Sequence, residues 1–498
     1  MSARWRRLVA VVLLGGCAVG PRYRPPAVAP AQTKVGTVAT QDSARAFFDS
    51  LIAARQKDSA GKAPASLPEP GANDSLFAVA WRDILRDTTL VGLVETATRQ
   101  NRDVQTAIAR VREFRANLGL ARAPLFPSVT ANASASTNQV AIGAFPPTQY
   151  NALRITGDLA WELDLWGRTR RGIEAARADL AAEEANRQAV LLSLVSDVAS
   201  GYLSLLELDQ ERAIAERTLG SRKQTLSLAQ SRFRQGVISE LDVRQFEAEV
   251  AVPAATLAQA ERLRALQEHQ LNVLLGSSPA PIPRGATLDE AVAALQVPDS
   301  LPASLLGRRP DVQRAERDYA AATARVGVAQ AARLPTVSIT GSYGTQSTNT
   351  GGLFKGNSEI YQLQGGVSLP LFTGGRITNQ VEAARARAEQ ARLGFEQTVL
   401  VAMREAGDAL VGVRTARDQV AAQQTQVLAL RRARDLAELR YRTGVASYLE
   451  VLDAERGLFS AELVLSQAQL LQLSAAVQLY RAIGGSWTSN EPAAGGPR

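Results

Sequence analysis

Cys17 is the only cysteine in the chain, and it follows Leu14-Gly15-Gly16. A lone thiol can make neither an intramolecular disulfide nor a cysteine cluster for a metal. Its setting points to acylation. Arg4, Arg6 and Arg7 form a positive start and Leu8 to Leu14 a short apolar run, so residues 1–16 read as a signal peptide too short to span a membrane. Small residues before a cysteine at such a cleavage site resemble a bacterial lipobox, in which the cysteine becomes the acylated N-terminus. Acyl chains add ~0.8 kcal/mol per buried methylene, so a multiply acylated Cys17 is a stable lipid anchor. Ala18 stands where the usual inner-membrane retention signal has an aspartate.

The other residues that bear on chemistry are carboxylates. Glu450 and Asp453 lie three apart and share a helix face. Repeated by copies of the chain around an axis, they would form rings of like charge that raise carboxylate pKa and attract cations. A solvated acidic helix face is the plainer alternative. His269, the only histidine, lies in a helical stretch and reads as exposed and inert. No Ser-His-Asp set, phosphate loop or metal-ligand spacing stands out, so no enzyme activity, metal or cofactor is expected. The formal charge of +8 falls to about +5 once the three signal-peptide arginines are removed. The remaining arginines are spread along the chain, as on solvated helix faces and near lipid headgroups, and no nucleic-acid partner is expected.

The elements that position these residues come from a repeat. Arg232-Phe-Arg-Gln-Gly-Val-Ile-Ser-Glu-Leu-Asp-Val243 matches Arg440-Tyr-Arg-Thr-Gly-Val-Ala-Ser-Tyr-Leu-Glu-Val451 at an offset of about 208 residues. The same offset pairs Glu174 to Ala178 with Glu382 to Ala386, Gly167-Arg168 with Gly375-Arg376, and Pro127 with Pro335. Clustering of identities at one offset, without gaps, identifies a duplication. Each repeat opens with a helical stretch, about Leu90 to Ala121 and about Val312 to Ala332. A β-like stretch follows Pro127 or Pro335, then a Gly/Pro/Asn-rich loop (Gly143 to Pro147; Asn349 to Gly352) and a second strand.

From Leu153 to Trp166 the odd positions are apolar and the even ones mostly polar, and Tyr361 to Leu371 alternates likewise. Period two marks a strand, either in a soluble sandwich or in a barrel with its apolar face toward lipid; the outer-membrane address favours the barrel. Trp161, Trp166, Tyr343 and Tyr361 are candidate interface aromatics. Only four strands are evident, against the ~8 that a membrane barrel needs, so several chains must pool strands. No later run reaches ~18 consecutive apolar residues, so no transmembrane helix is expected. Proline-free runs from about Arg170 to Arg234 and Asn379 to Arg442 would each make a helix of ~95 Å. Each meets a turn at Gly236 or Gly444, then a return helix ending at Gly276 or Gly484; Pro253 is expected to kink the first.

The boundaries are a signal peptide at 1–16, a lipidated segment and linker at 17–75, repeat 1 at 76–278, a linker at 279–300, repeat 2 at 301–486 and a tail at 487–498. Repeat 1 holds a hairpin at about 127–166, a long helix at about 170–234 and a return helix at about 240–275; repeat 2 holds them at about 335–372, 379–442 and 448–483.

Taken together, these features resemble the outer-membrane efflux proteins, the TolC-like and especially OprM-like lipoproteins. The motifs that carry the resemblance are Cys17-Ala-Val-Gly-Pro21 with Tyr23 and Pro25; Trp81 with Asp83, Asp87, Leu90, Asn101 and Asp103; Arg440 to Asp453; and Leu479 to Trp487. The resemblance implies a fold that is mainly α with a membrane β-barrel portion. A homotrimer would form a twelve-stranded barrel continued by a periplasmic α-helical tube. It also implies a periplasmic adaptor docked at the tip and an inner-membrane pump of the resistance-nodulation-division (RND) type driving small-molecule export.

At the tip, Gly236 and Gly444 are expected to take positive φ. Val237, Leu241, Val445 and Leu449 offer apolar contacts, and Ser239 and Ser447 cap the return helices. By resemblance, Asp242 and Tyr441 correspond to a pair whose inter-helix hydrogen bond keeps the tip closed; with Glu450 and Asp453 they make up the expected gate. Ala446 stands where the best-known gate has a partner arginine. The Pro/Ala/Ser-rich stretch from Ala31 to Asn73 is longer than the family leads one to expect. Two other functions remain open at this level: a protein-secretion duct served by an ABC transporter, and a structural periplasmic coiled-coil adaptor. The adaptor would leave the duplicated hairpins unexplained.

Overall fold

The computed structural model describes residues 19–21, 23, 34–35, 87–141, 147–295, 301–302 and 307–485. The signal peptide, Cys17, Trp81, Asp83, the first hairpin loop at 142–146, the tail after 485 and, apart from Lys34–Val35, the Ala31–Asn73 stretch lie outside the described residues. The elements in chain order are β1 (Lys34–Val35), α1 (Thr88–Gln100), α2 (Arg102–Arg122), β2 (Ser128–Val140), β3 (Thr148–Leu163), α3 (Arg168–Arg234), α4 (Glu240–Leu275), α5 (Leu288–Ala294), β4 (Leu301–Pro302), α6 (Pro310–Ala331), β5 (Thr336–Ser347), β6 (Glu359–Ser368), α7 (Arg376–Arg442) and α8 (Tyr448–Ala482).

The chain forms two compact units, and neither is a single repeat. One gathers residues 1–25, 109–184 and 314–397; the other gathers 26–108, 185–313 and 398–498. Each therefore draws on both halves of the duplication.

The first unit is built on a four-stranded antiparallel sheet in the order β2-β3-β5-β6. Each repeat supplies one hairpin, and the two join where β3 pairs with β5, from Leu153 opposite Ser347 to Leu163 opposite Val337. Tyr343 faces Tyr361 across β5 and β6. Both rings are exposed, as are Leu363 and Val367 on the same strand face. On the alternate face, Asn132 Nδ2 donates to Asp158 Oδ2 at 2.6 Å and Thr156 Oγ1 donates to the same oxygen at 3.2 Å. The strands end earlier than the alternation of residue types does. Asp164 leaves β3 to accept from the backbone N–H groups of Thr169 and Arg170 at the start of α3. Pro370, lacking an N–H, lies beyond the end of β6.

In the second unit Leu90, Val94, Val198, Tyr202, Leu205, Leu271 and Leu473 belong to one buried apolar cluster. Tyr202 Oη ties it to polar neighbours, donating to Asp87 Oδ2 at 2.7 Å and accepting from Gly285 N–H at 2.8 Å. The single helical stretch expected from Leu90 to Ala121 is two helices. Asn101 stands between them: its Oδ1 accepts from the N–H groups of Asp103 and Val104, and its Nδ2 donates to Leu274 O. The span read as a linker at 279–300 contains α5, started by a reciprocal Thr287–Glu290 capping box. β1 and β4 form a two-residue antiparallel pair that the alternation pattern did not reveal. One window of α3 is apolar enough on average to cross a membrane although no continuous run is; 56% of that window is buried, as in a core helix. α4 passes through the buried Pro253 as one assigned helix.

Charge is buried in the second unit as well. Glu249 receives Arg222 at 2.7 Å and Arg456 Nε at 2.6 Å, and Arg222 also lies 5.5 Å from the Phe459 ring centroid.

Candidate functional site

The two turns of the second unit are built alike. At the first, Val237 N–H donates to Arg232 O and Gly236 N–H to Phe233 O; at the second, Val445 N–H donates to Arg440 O and Gly444 N–H to Tyr441 O. This is a Schellman ending, which needs a left-handed residue after the helix. Gly236 at φ 73° and Gly444 at φ 78° supply it. Open space surrounds both α-carbons, so backbone conformation and not crowding makes glycine the suitable residue.

The return helices begin differently. Ser239 Oγ accepts from Asp242 N–H at 3.3 Å, while Asp242 Oδ2 accepts from Ser239 N–H at 2.9 Å and Ser239 Oγ at 2.8 Å, a reciprocal capping box. Ser447 occupies the same position without a side-chain cap. The duplicated sequence thus gives one strongly capped helix and one that is not. Val237, Leu241, Val445 and Leu449 are each 60–68% exposed. Four apolar side chains in matching positions at the ends of two helix pairs form a paired, sticky surface.

Behind the turns the expected gate residues are arranged unlike the pairing that the resemblance implied. Within one chain Asp242 is engaged by Ser239. Tyr441 Oη accepts from Arg232 Nη1, and the Arg232 guanidinium also lies 5.7 Å from its ring centroid. Glu450 lies 3.5 Å from Arg440 Nε. Asp453 is exposed one helical turn before Arg456, the cation that reaches Glu249. Tyr448 packs edge-on to Tyr441 at 5.1 Å and against Phe246 at 4.5 Å. Burial, then the nearby Glu455 charge, pushes the Tyr448 hydroxyl well above its ordinary range. Arg232, Arg440, Phe246 and Tyr448 were not singled out in the sequence. The duplication offered one signal: Arg232 and Arg440 are equivalent positions in the matched segments. The site offers donors, acceptors and exposed apolar side chains.

Comparison with known proteins places this geometry in context. A family model described as outer membrane efflux protein matches residues 93–277 and 301–485, segments whose starts and ends are both 208 residues apart. The probable efflux pump outer membrane protein TtgC of Pseudomonas putida is 32% identical over 486 residues, covering 96% of this chain and 94% of that protein. The solvent efflux pump outer membrane protein SrpC of Pseudomonas putida is 34% identical over 494 residues, covering 97% and 98%. Among solved structures, the open state of the MtrE outer membrane channel of Neisseria gonorrhoeae superposes with a TM-score of 0.78 at 29% identity, covering 94% of this chain and 98% of that one. The chain belongs to the outer membrane efflux protein family.

Proposed function

We propose that the protein is the outer-membrane exit duct of a tripartite efflux system, trimeric and lipid-anchored through Cys17, a conduit and not an enzyme. The observation that carries this reading is the sheet of the first unit. Among the described residues β2 and β6 each pair on one side only, and one face leaves Tyr343, Tyr361, Leu363 and Val367 exposed. Open edges are not tolerated in hydrocarbon, and four strands cannot close a membrane barrel. If β6 of each copy joins β2 of the next, three copies give twelve strands. Strands of 10 to 16 residues suffice to cross a bilayer. The long helices α3 and α7, 67 residues each, would continue this barrel as a periplasmic tube.

In this reading the turns at Gly236 and Gly444, with Val237, Ser239, Leu241, Val445, Ser447 and Leu449, are the docking surface for a periplasmic adaptor. Asp242, Tyr441, Glu450 and Asp453 line the gate beside them, with Arg232 holding Tyr441 in the resting chain. The partners follow from the family: TtgC and SrpC are named as outer membrane proteins of efflux pumps. An RND-type pump supplies the energy, and the cargo is small molecules.

The test is whether purified protein runs as heat-resistant trimers and conducts as single channels in planar bilayers; a monomer that never conducts overturns the proposal. A photo-crosslinker at Ser239 or Ser447 in cells should capture an adaptor encoded with a proton-driven pump. Capture of an ABC-type adaptor would move the function to protein secretion.

A further inference from the structure

Two buried carboxylates join the helix pair α3–α4 to the pair α7–α8 on one plan, and neither belongs to the expected gate. Glu249 on α4 is buried, and so is Arg222 of its own pair, which lies 2.7 Å away and also donates to Glu249 O at 2.8 Å. The other pair sends Arg456 of α8, whose Nε reaches Glu249 Oε1 at 2.6 Å. Glu462 on α8 repeats the plan in the opposite direction. It is buried, accepts from Arg431 Nη2 of its own pair at 2.8 Å, and accepts from Arg217 Nη2 of α3 at 2.6 Å. Each carboxylate thus holds one guanidinium from its own pair and one visitor from the other. The visiting side chains, Arg456 and Arg217, are 50% and 62% exposed. The duplication repeats neither arrangement. At its offset of 208, Arg222 and Glu249 correspond to Leu430 and Gly457, and Arg431 and Glu462 to Lys223 and Ala254. A Cβ on Gly457 would meet Leu430 Cδ2 at 3.5 Å, an ordinary contact. Packing within a helix pair therefore does not require these charges, since each pair forms without the other's set.

We propose that Glu249 and Glu462 are releasable clips between the two helix pairs. When a visitor leaves, the buried carboxylate keeps the guanidinium of its own pair, so no bare charge stays in the interior. The large penalty for an uncompensated buried charge is thereby avoided, and letting go costs only what a half-exposed ion pair is worth. A clip with a single arginine would leave that charge bare each time it opened. The two clips run in opposite directions, α8 to α4 and α3 to α8, so parting the pairs breaks both. Beside them Phe459 of α8 shares an apolar cluster with Ile214 and Ala215 of α3, a seam that parting uncovers. Only the purpose of the clips rests on the duct reading: there they set how readily the helical wall loosens as cargo passes.

Thiol trapping tests the clips on full-length protein purified from membranes in detergent. Ala215, 0% exposed in the seam, is replaced by cysteine, and its alkylation rate is followed by peptide mass spectrometry. A buried thiol reacts only through opening, at a rate proportional to the open population. Arg456→Ala and Arg217→Ala should each raise that rate about threefold, and the two together about tenfold. A cysteine replacing Ala199, inside the main core cluster, should keep one rate in every variant. Arg244→Ala should leave the Ala215→Cys rate unchanged, because its ion pairs with Glu240 and Glu247 stay within α4. No rise at Ala215→Cys in the double variant would overturn the clips, and so would an equal rise at Ala199→Cys, the mark of a loosened fold. In planar bilayers the double variant should also stay open longer than the natural protein. Faster trapping in a chain that never conducts would leave the clips standing and overturn the duct reading.

Discussion

Glu207, on α3, is buried, and a second, half-buried carboxylate, Glu211, lies one turn further on. Burial first, and then the Glu211 charge, pushes its pKa up to about 7 from an ordinary 4.5. The folded chain keeps this proton to near neutrality, while the unfolded chain releases it near pH 4.5. Stability from this group is therefore full below about pH 4.5, falls as pH rises to about 7 and stays low above, by up to about 3 kcal/mol. Glu207→Gln should flatten that slope, raising the thermal midpoint at pH 8 while leaving it nearly unchanged at pH 5. Glu249 makes a second residue-scale case. Removing it by Glu249→Ala leaves the buried Arg222 without its counter-charge and should cost about 3–5 kcal/mol. Replacing both with leucine should recover most of that loss, as read by thermal unfolding. Neither feature was legible in the sequence: Arg222 and Arg456 stand 27 residues before and 207 after Glu249, and nothing local marks them as partners. The turn glycines were legible, because a left-handed position after a long helix leaves its mark on residue type.

At the scale of elements the two return helices offer a matched pair. Ser239→Ala should cost about 1 kcal/mol and speed hydrogen exchange in the first turn of α4, above all at the Asp242 amide. Ser447→Ala should do far less, because Ser447 makes no side-chain cap to lose. Equal effects at both sites would mean that the asymmetry is not intrinsic to the chain. The sequence showed the long helices to within a few residues, since 67 residues without proline leave little else to form. The helix break at Asn101 was hidden because one asparagine in a periodic run carries no strong stop signal. Its role depends on Leu274 O, a partner 173 residues away. The short helix α5 was hidden for a related reason: at 7 residues it is too brief to display a period.

At the scale of the whole molecule, the duplication was legible and its consequence was not. Repeats are contiguous in the sequence, yet each compact unit takes segments from both, because β3 of one hairpin pairs with β5 of the other. The strand alternation also left open whether the apolar face met lipid or a second sheet. Leu363→Arg, placing a charge on the exposed face of β6, tests the lipid assignment. It should cost about 2–4 kcal/mol near a bilayer midplane and abolish heat-resistant trimers, whereas a solvent-facing position would tolerate it. The edges of β2 and β6 that are unpaired among the described residues have one more consequence. Under the proposed function, β2 and β6 being different strands, copies would join head to tail, and a ring closed in this way would have no seat that can be left badly filled. A chain spoiled at one edge but sound at the other would still be recruited, and it would ruin the ring that accepted it. Co-expressed in equal amount with normal chains, it would leave only about one ring in eight made wholly of normal chains if three share a ring. Such an allele would be dominant, and a cell carrying it beside an intact copy would lose most of the export that the proposed duct carries.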